Sequence, residues 1–382
     1  MLIVPPAKYK IRMKVLHFYR TYYPDSFGGV EQVIRQLVTA TAQQGVTAEV
    51  LTLTRDKQRL DIEFEGHKVH RAPLNFEIAS TGFSWGAFAK FKQLAAQADI
   101  IHYHFPWPFM DMAHFLCRIK KPSVVTYHSD IVRQKRLLKI YQPLQNSFLK
   151  RVDKIVATSP NYMASSETLQ AFRDKTEVIT YGLERSIYPK HDSALCAAWQ
   201  AKLPPKFFLF VGMLRYYKGL HVLLEAVAGS DLPVIILGDG PEEQALKVQA
   251  RHLGLQNVQF VGALSDADKA ALLTLCYGLV FPSHLRSEAF GITLLEAAMY
   301  GKPMISCEIG TGTSFVNRDG ETGLLVPPSQ PAALRKAMQI LWDQPELALQ
   351  YGKNAQQRFE ALFTAQVMAQ KYVALYQTLL KA

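Results

Sequence analysis

Short runs of consecutive apolar residues alternate with stretches of helical periodicity along the whole chain, and they do so in two blocks. Residues 14–18, 49–53, 99–104, 123–128, 154–158 and 178–180 have the pattern of buried strands in the first block. Residues 207–211, 233–237, 258–261, 278–281, 303–306 and 323–326 have it in the second. Such runs, separated by helical stretches, imply parallel βαβ units with helices on both faces of each sheet. Residues 185–205 break the rhythm with Pro189, Pro204 and Pro205 and read as a linker. The expected architecture is α/β: two Rossmann-like, doubly wound domains facing across a cleft, spanning residues 1–184 and 206–360. Long helical stretches are expected at about 331–343 and 346–380, with residues 361–382 forming a C-terminal helix able to cross back to the first domain.

A chain of 382 residues is long enough for two such cores, and 49% hydrophobic against 20% charged residues suits an ordered globular protein. Cys117, Cys196, Cys276 and Cys307 form no C-x-x-C pair and sit in no zinc-like spacing, so reduced, buried thiols are expected. No apolar run approaches the ~20 residues of a membrane span. Leu2-Ile3-Val4 is followed at once by Pro5 and Pro6, which is not a signal-peptide pattern. Met13 stands directly before the first strand run, so residues 1–12 read as a loose extension.

The net charge of +11 is not spread evenly. Residues 1–190 hold 27 Lys and Arg against 16 Asp and Glu, while residues 191–382 hold 16 of each. Ten basic residues fall within 118–154: Arg118, Lys120, Lys121, Arg133, Lys135, Arg136, Lys139, Lys150, Arg151 and Lys154. Only Asp130 and Asp153 oppose them there. Such a field favours an anionic membrane surface or a lipid-linked phosphate. Without a recognisable nucleic-acid module it does not favour nucleic acid.

Ligands of open parallel sheets bind beyond the carboxyl ends of the strands, so the loops that follow strands carry the chemistry. After the run 278–281 comes Ser283-His284-Leu285-Arg286-Ser287-Glu288-Ala289-Phe290-Gly291-Ile292, then a helix expected to end near Tyr300. Gly291 opens that helix, leaving the N–H groups of Gly291 and Ile292 free for oxygen acceptors. Glu296 lies about five residues in, roughly 7–8 Å along the axis at ~1.5 Å per residue. Two carboxylates so spaced suit a ligand with hydroxyls at both ends and a diphosphate between. The matching cations lie in Gly212-Met213-Leu214-Arg215-Tyr216-Tyr217-Lys218-Gly219, after the run 207–211. Arg215 offers a planar fork to phosphate and Lys218 a point charge. Gly212 lets backbone approach a ligand closely, and a helix starting near Gly219 adds positive potential.

G-x-x-R-x-x-K-G followed by E-A-F-G-I-T-L-L-E-A resembles the E-x7-E signature of family-4 retaining glycosyltransferases of the GT-B fold. The resemblance extends to Phe27-Gly28-Gly29-Val30-Glu31, to Gly238-Asp239-Gly240-Pro241 and to residues 319–326. The opening segment 14–34 further resembles bacterial mannosyltransferases that build lipopolysaccharide O-chains. The resemblance implies a retaining hexosyltransferase that takes mannose from GDP-mannose and passes it to a lipid-linked saccharide. GDP-rhamnose, UDP-glucose and UDP-N-acetylglucosamine remain alternative donors. It implies donor contacts from Gly28, Gly29, Gly212, Arg215, Lys218, Gly238, Glu288, Phe290, Gly291, Ile292 and Glu296. Glu288, His128, Arg215 and Lys218 would serve catalysis, and no metal or cofactor is needed if Arg215 and Lys218 stabilise the leaving diphosphate. Tyr22 and His104 are candidate acceptor contacts; His102 and His104 are expected on opposite faces of their strand, with His104 toward the cleft. Asp266-Ala267-Asp268 reads as helix capping rather than as a metal site. A cytoplasmic protein, peripheral on the inner face of the membrane, follows from the charge split and the implied acceptor.

Overall fold

The structure, a computed structural model, describes residues 13–78, 81–131 and 135–381, with the side chains of 135–138 outside it. The extension 1–12, Arg133 and the side chains of Lys135 and Arg136 thus lie outside the described residues. The chain forms two compact units. Unit 1 holds the chain up to Ala157, Ala171–Gly182 and the residues from Ala365 on; unit 2 holds Thr158–Gln170 and Leu183–Thr364.

The strands of unit 1 are β1 (Met13–Phe18), β2 (Val46–Thr54), β3 (Asp61–Phe64), β4 (His67–Pro73), β5 (Phe76–Ile78), β6 (Thr81–Phe83), β7 (Ile100–Phe105), β8 (Ser123–Tyr127), β9 (Lys154–Ala157) and β10 (Thr176–Val178). Eight of them form one sheet in the order β10-β9-β8-β7-β1-β2-β4-β3, parallel except for the β3–β4 hairpin. β5 and β6 pair separately. One sheet face carries Val15, Ile100, Val124 and Val156, and Met368, Tyr372 and Tyr376 of helix Ala365–Lys381 bury it.

Unit 2 contains β11 (Phe208–Val211), β12 (Val234–Leu237), β13 (Val258–Gly262), β14 (Gly278–Phe281), β15 (Met304–Cys307) and β16 (Gly323–Val326). They form an all-parallel sheet in the order β13-β12-β11-β14-β15-β16. Every residue of β11, β12, β14 and β15 is buried, as expected of strands covered on both faces. The order reverses between β11 and β14, so the loops after these two strands meet at the switch point.

The structure corrects several boundaries. Residues 185–205 are not a bare linker: helix Ser193–Gln200, capped by Asp192 Oδ1 on Leu195 N–H at 3.0 Å, belongs to unit 2. Trp199 donates its indole N–H to Asp268 Oδ1 at 2.9 Å, and the prolines flank this helix rather than exclude it. The stretch 346–380 is two helices, Pro345–Leu362 and Ala365–Lys381. Helical periodicity runs through the break, but Phe363 gives its carbonyl to Leu183 N–H at 2.9 Å. Strands β3 to β6 lie between the expected runs 49–53 and 99–104, where no strand was expected. Glu65 and Gly66, both at positive φ, turn β3 into β4, and the exposed charges of β3 mark it as a sheet edge.

Candidate active site

The loop after β11 is held tight by glycine. Gly212 lies at φ 151° and its carbonyl would sit 2.1 Å from a Cβ built on Gly238, itself at φ 133°. The β11 and β12 loops therefore abut backbone to backbone. Leu214 N–H bonds to Asp239 O at 2.7 Å across the same seam. The loop then makes a 3-10 turn, Tyr216–Lys218, and ends on Gly219 at φ 69°. A Cβ at Gly219 would fall 2.1 Å from Pro282 O, so this loop also packs without a gap on the one after β14.

These approaches bring Lys218 to Glu288. Lys218 Nζ lies 2.5 Å from Glu288 Oε2, with both residues buried. Burial alone would lower the lysine pKa; the adjacent carboxylate and Tyr217 outweigh it, and the ammonium is held above its ordinary value. Ser283 Oγ donates to the same carboxylate oxygen at 3.1 Å, and Thr311 Oγ1 bonds the Glu288 carbonyl at 2.8 Å. Arg215 is exposed, with its Nε 3.0 Å from Met213 Sδ. It lines a pocket with Tyr216, His221, Glu242 and Gln249.

Helix Ile292–Met299 starts at Gly291, which adopts φ 89°. The N–H groups of Gly291 and Ile292 take no acceptor among the described residues. Phe290, just before them, is buried. Glu296 is buried and clamped on one oxygen: Tyr188 OH and Lys269 Nζ each lie 3.0 Å from Oε1. Oε2 takes no bond among the described residues. Lys269, despite a burial cost, is held above the usual lysine range by Glu296 and Asp266. Sequence reasoning missed Lys269 and Tyr188, since nothing in their spacing marks them. Asp266 and Asp268 lie in the first turn of a helix whose cap is Ser265, which accepts from Asp268 N–H at 3.1 Å.

In unit 1, Gly28 caps helix Gly29–Ala42, and a Cβ there would meet Glu31 Oε2 at 2.4 Å. His128 follows β8 and is buried. Its Nδ1 lies 2.5 Å from Tyr181 OH and its Nε2 2.9 Å from His104 Nδ1. His104 Nε2 in turn lies 3.0 Å from His17 Nδ1. His102 bonds Tyr376 OH at 2.6 Å and Thr126 Oγ1 at 2.7 Å.

Two expectations are corrected here. His102 and His104 share a face, their rings stacked at 4.5 Å, because side chains two apart on a strand point the same way. Neither is open to an acceptor: both are fully buried and both ring nitrogens of each are bonded. Tyr22 is also fully buried, with its OH 3.1 Å from His67 Nε2 and its ring packed on Tyr23 and Phe64, so it offers no stacking face. His17, His102 and His104 each bring one donor atom within 4.8 Å of the others. The His104 ring stacks on the other two, however, and hydrogen bonds to one another or to Tyr376, Thr126 and His128 occupy five of the six nitrogens, so they are not a ready metal centre. The four cysteines are free and buried.

Residues 27–186 match the family model described as Glycosyltransferase Family 4, and residues 196–358 match that described as Glycosyl transferases group 1. The chain is 58% identical over 353 residues to D-rhamnosyltransferase WbpZ of Pseudomonas aeruginosa, covering 92% of this chain and 93% of that one. It is 54% identical over 370 residues to O-antigen chain mannosyltransferase C of Escherichia coli, covering 97% and 100%. Among solved structures it resembles sucrose-phosphate synthase from Thermosynechococcus elongatus, with a TM-score of 0.79, 23% identity and coverage of 97% and 100%. It also resembles Anabaena HepE in complex with UDP and glucose, with a TM-score of 0.78, 20% identity and coverage of 96% and 100%. Two Rossmann-like units with these matches define a glycosyltransferase of the GT-B fold. The chain belongs to the family-4 glycosyltransferases.

Proposed function

We propose that this enzyme transfers a hexose, with retention of anomeric configuration, from a GDP-linked donor to a lipid-linked saccharide in the assembly of lipopolysaccharide O-chains. The Lys218–Glu288 pair at the switch point of unit 2 carries this reading. On donor binding, Lys218 and Arg215 take the diphosphate oxygens, and the N–H groups of Gly291 and Ile292 add to the field. Glu288 turns from Lys218 to the sugar hydroxyls, and Glu296 accepts a ribose hydroxyl on Oε2. The bond between the anomeric carbon and the phosphate oxygen breaks; the acceptor oxygen bonds that carbon from the same face, and its proton leaves with the diphosphate. Fixed cations stabilise the departing charge, so this site supplies without a metal the electrostatics such a step needs. Unit 1 holds the acceptor, with His128 serving the reacting sugar through Nδ1 once a hydroxyl replaces Tyr181 there.

The sugar is mannose, a choice supported by the near-complete alignment with the Escherichia coli mannosyltransferase. The Pseudomonas relative favours a second reading, D-rhamnose, which is mannose without its C6 hydroxyl. A site built to hydrogen-bond that hydroxyl rejects the deoxy sugar strongly, whereas an apolar one discriminates little. Transfer assays with GDP-mannose and GDP-D-rhamnose decide between them. A thermal-shift series with GDP, UDP and ADP tests the base, because ligand binding to the native state raises its stability; stabilisation by UDP alone would overturn the GDP assignment.

The enzyme acts at the inner face of the membrane. Arg118, Lys120, Lys139, Lys150 and Arg151 are exposed, and among them stand exposed Leu116 and Ile140. Basic side chains around protruding apolar ones suit an anionic lipid surface. Lys154 is engaged with Glu177 at 2.7 Å and adds less. No described helix is long and apolar enough to cross a membrane.

A further inference from the structure

The histidines of unit 1 form a line. From Tyr181 OH the contacts run 2.5 Å to His128 Nδ1, 2.9 Å from His128 Nε2 to His104 Nδ1, and 3.0 Å from His104 Nε2 to His17 Nδ1. Every link leaves one imidazole through Nε2 and enters the next through Nδ1. All three rings are almost wholly shielded from solvent, and burial holds each of them neutral.

A neutral imidazole has one donor and one acceptor nitrogen. In a head-to-tail line only two arrangements satisfy every link. In one, all three rings carry the proton on Nε2, and Tyr181 OH donates to His128 Nδ1. In the other, all three carry it on Nδ1, and His128 donates to the tyrosine oxygen. A mixed line sets two N–H groups, or two lone pairs, against each other in a dry interior, where an unmet polar group costs about 1–3 kcal/mol.

We propose that His17, His104 and His128 share one tautomer and change it together, so that His17 and His104 are positioning residues deciding whether His128 Nδ1 donates to or accepts from whatever meets it. His102 stands outside the line. Its nitrogens go to Tyr376 and Thr126, and Thr126 Oγ1 goes on to Tyr372 OH at 2.7 Å. The consequence for catalysis rests on the proposed placement of His128 at the donor sugar; the coupling itself does not.

The test is nitrogen-15 NMR of the full chain with labelled histidine, whose two-bond correlations distinguish protonated from bare ring nitrogens. Peaks are assigned by single substitutions. The expected spectrum shows the same tautomer, or the same ratio of tautomers, at all three residues; opposite tautomers at His104 and His128 would overturn the coupling. Tyr181→Phe removes the terminal hydroxyl without removing a ring from the line. It should move the tautomer ratio at His17, three hydrogen bonds away, by the same fraction as at His128, and a shift confined to His128 would also overturn the proposal. His17→Phe should then lower kcat by about tenfold or more with the donor KM little changed, as a wrong tautomer does at an essential histidine. If the tautomers move together and kcat does not, the coupling stands and the placement of His128 at the sugar is what fails.

Discussion

Lys218 Nζ and Glu288 Oε2 stand 2.5 Å apart, so the cation and the carboxylate proposed to serve the donor neutralise each other. A phosphate reaching Lys218 must therefore displace Glu288. Glu288→Gln should lose transfer by about 100-fold or more, yet bind free GDP at least as tightly as the native enzyme, because the competing charge is gone. Lys218→Ala should weaken GDP binding by about 1.5–3 kcal/mol, the worth of a charge-assisted hydrogen bond. Calorimetry on both variants measures this. Unchanged affinity in Lys218→Ala removes the residue from the phosphate site, and a fully active Glu288→Gln removes the carboxylate from catalysis.

Glu296 is the second fixed point. With Oε1 held by Tyr188 and Lys269, Oε2 alone remains for a ribose hydroxyl. The native enzyme should bind GDP more tightly than 2′-deoxy-GDP or 3′-deoxy-GDP, and Glu296→Gln should shrink that preference. Lys269→Met leaves the carboxylate buried without its cation, a change that typically costs 3–5 kcal/mol, and the melting temperature should fall accordingly. Equal affinities for all three nucleotides in the native enzyme would take Glu296 away from the ribose.

The positions of the buried parallel strands were legible because such strands are apolar in sequence, and the loops that bring Lys218 to Glu288 were legible because they carry glycine beside charge. What escaped has a common physical cause. Lys269 and Tyr188 reach Glu296 only through tertiary packing, and neither lies beside it in sequence. The helix within 185–205 was hidden by flanking prolines, and the break after Leu362 by helical periodicity that persists across it. His102 and His104 were misplaced through their two-residue spacing, which puts both on one face. Tyr22, in an aromatic run suggestive of a saccharide platform, proved to be packed against Phe64 and His67.

Gly219 and Gly238 stand where a side chain has no room. A Cβ at either would lie 2.1 Å from a carbonyl oxygen, of Pro282 and Gly212 respectively, and both residues have positive φ. Gly219→Ala should push the Lys218 loop off the Glu288 loop, weakening GDP binding well beyond the few tenths of a kcal/mol of an ordinary surface substitution. Gly320→Ala, at φ 69° with open space around its Cβ, is the control for backbone strain alone. Equal effects at 219 and 320 would show that close approach of the loops is not what glycine secures.

Unit 1 should be the acid-labile half. Burial holds His17 and His128 down to about 3 and His114 to about 4, with His102 and His104 lowered as well. An unfolded chain takes these protons near 6.5, so between 6.5 and about 3 it binds more protons than the folded one. Stability is then complete above 6.5 and falls with pH across that window, by up to about 1.4 kcal/mol per pH unit for each histidine. Buried Asp111 acts oppositely, since its carboxyl keeps its proton in the folded chain. Urea titrations at pH 7.5 and 5, followed by tryptophan fluorescence, should show the midpoint dropping at pH 5. An unchanged midpoint would mean that these imidazoles are not neutral in the folded protein.

Membrane attachment should separate into two parts that salt distinguishes. Arg118, Lys120, Lys139, Lys150 and Arg151 act through charge, worth about 1 kcal/mol each at an anionic surface and screened over ~8 Å at physiological ionic strength. Leu116 and Ile140, 64% and 80% exposed, act by burying apolar area, which salt does not screen. Changing the five basic residues to Gln should abolish retention on phosphatidylglycerol vesicles at low salt. Leu116→Ser with Ile140→Ser should instead lower retention at every salt concentration while leaving the salt slope intact. Binding that ignores both sets, or a native enzyme that fails to sediment with anionic vesicles at low salt, would place the acceptor's capture elsewhere than on this surface.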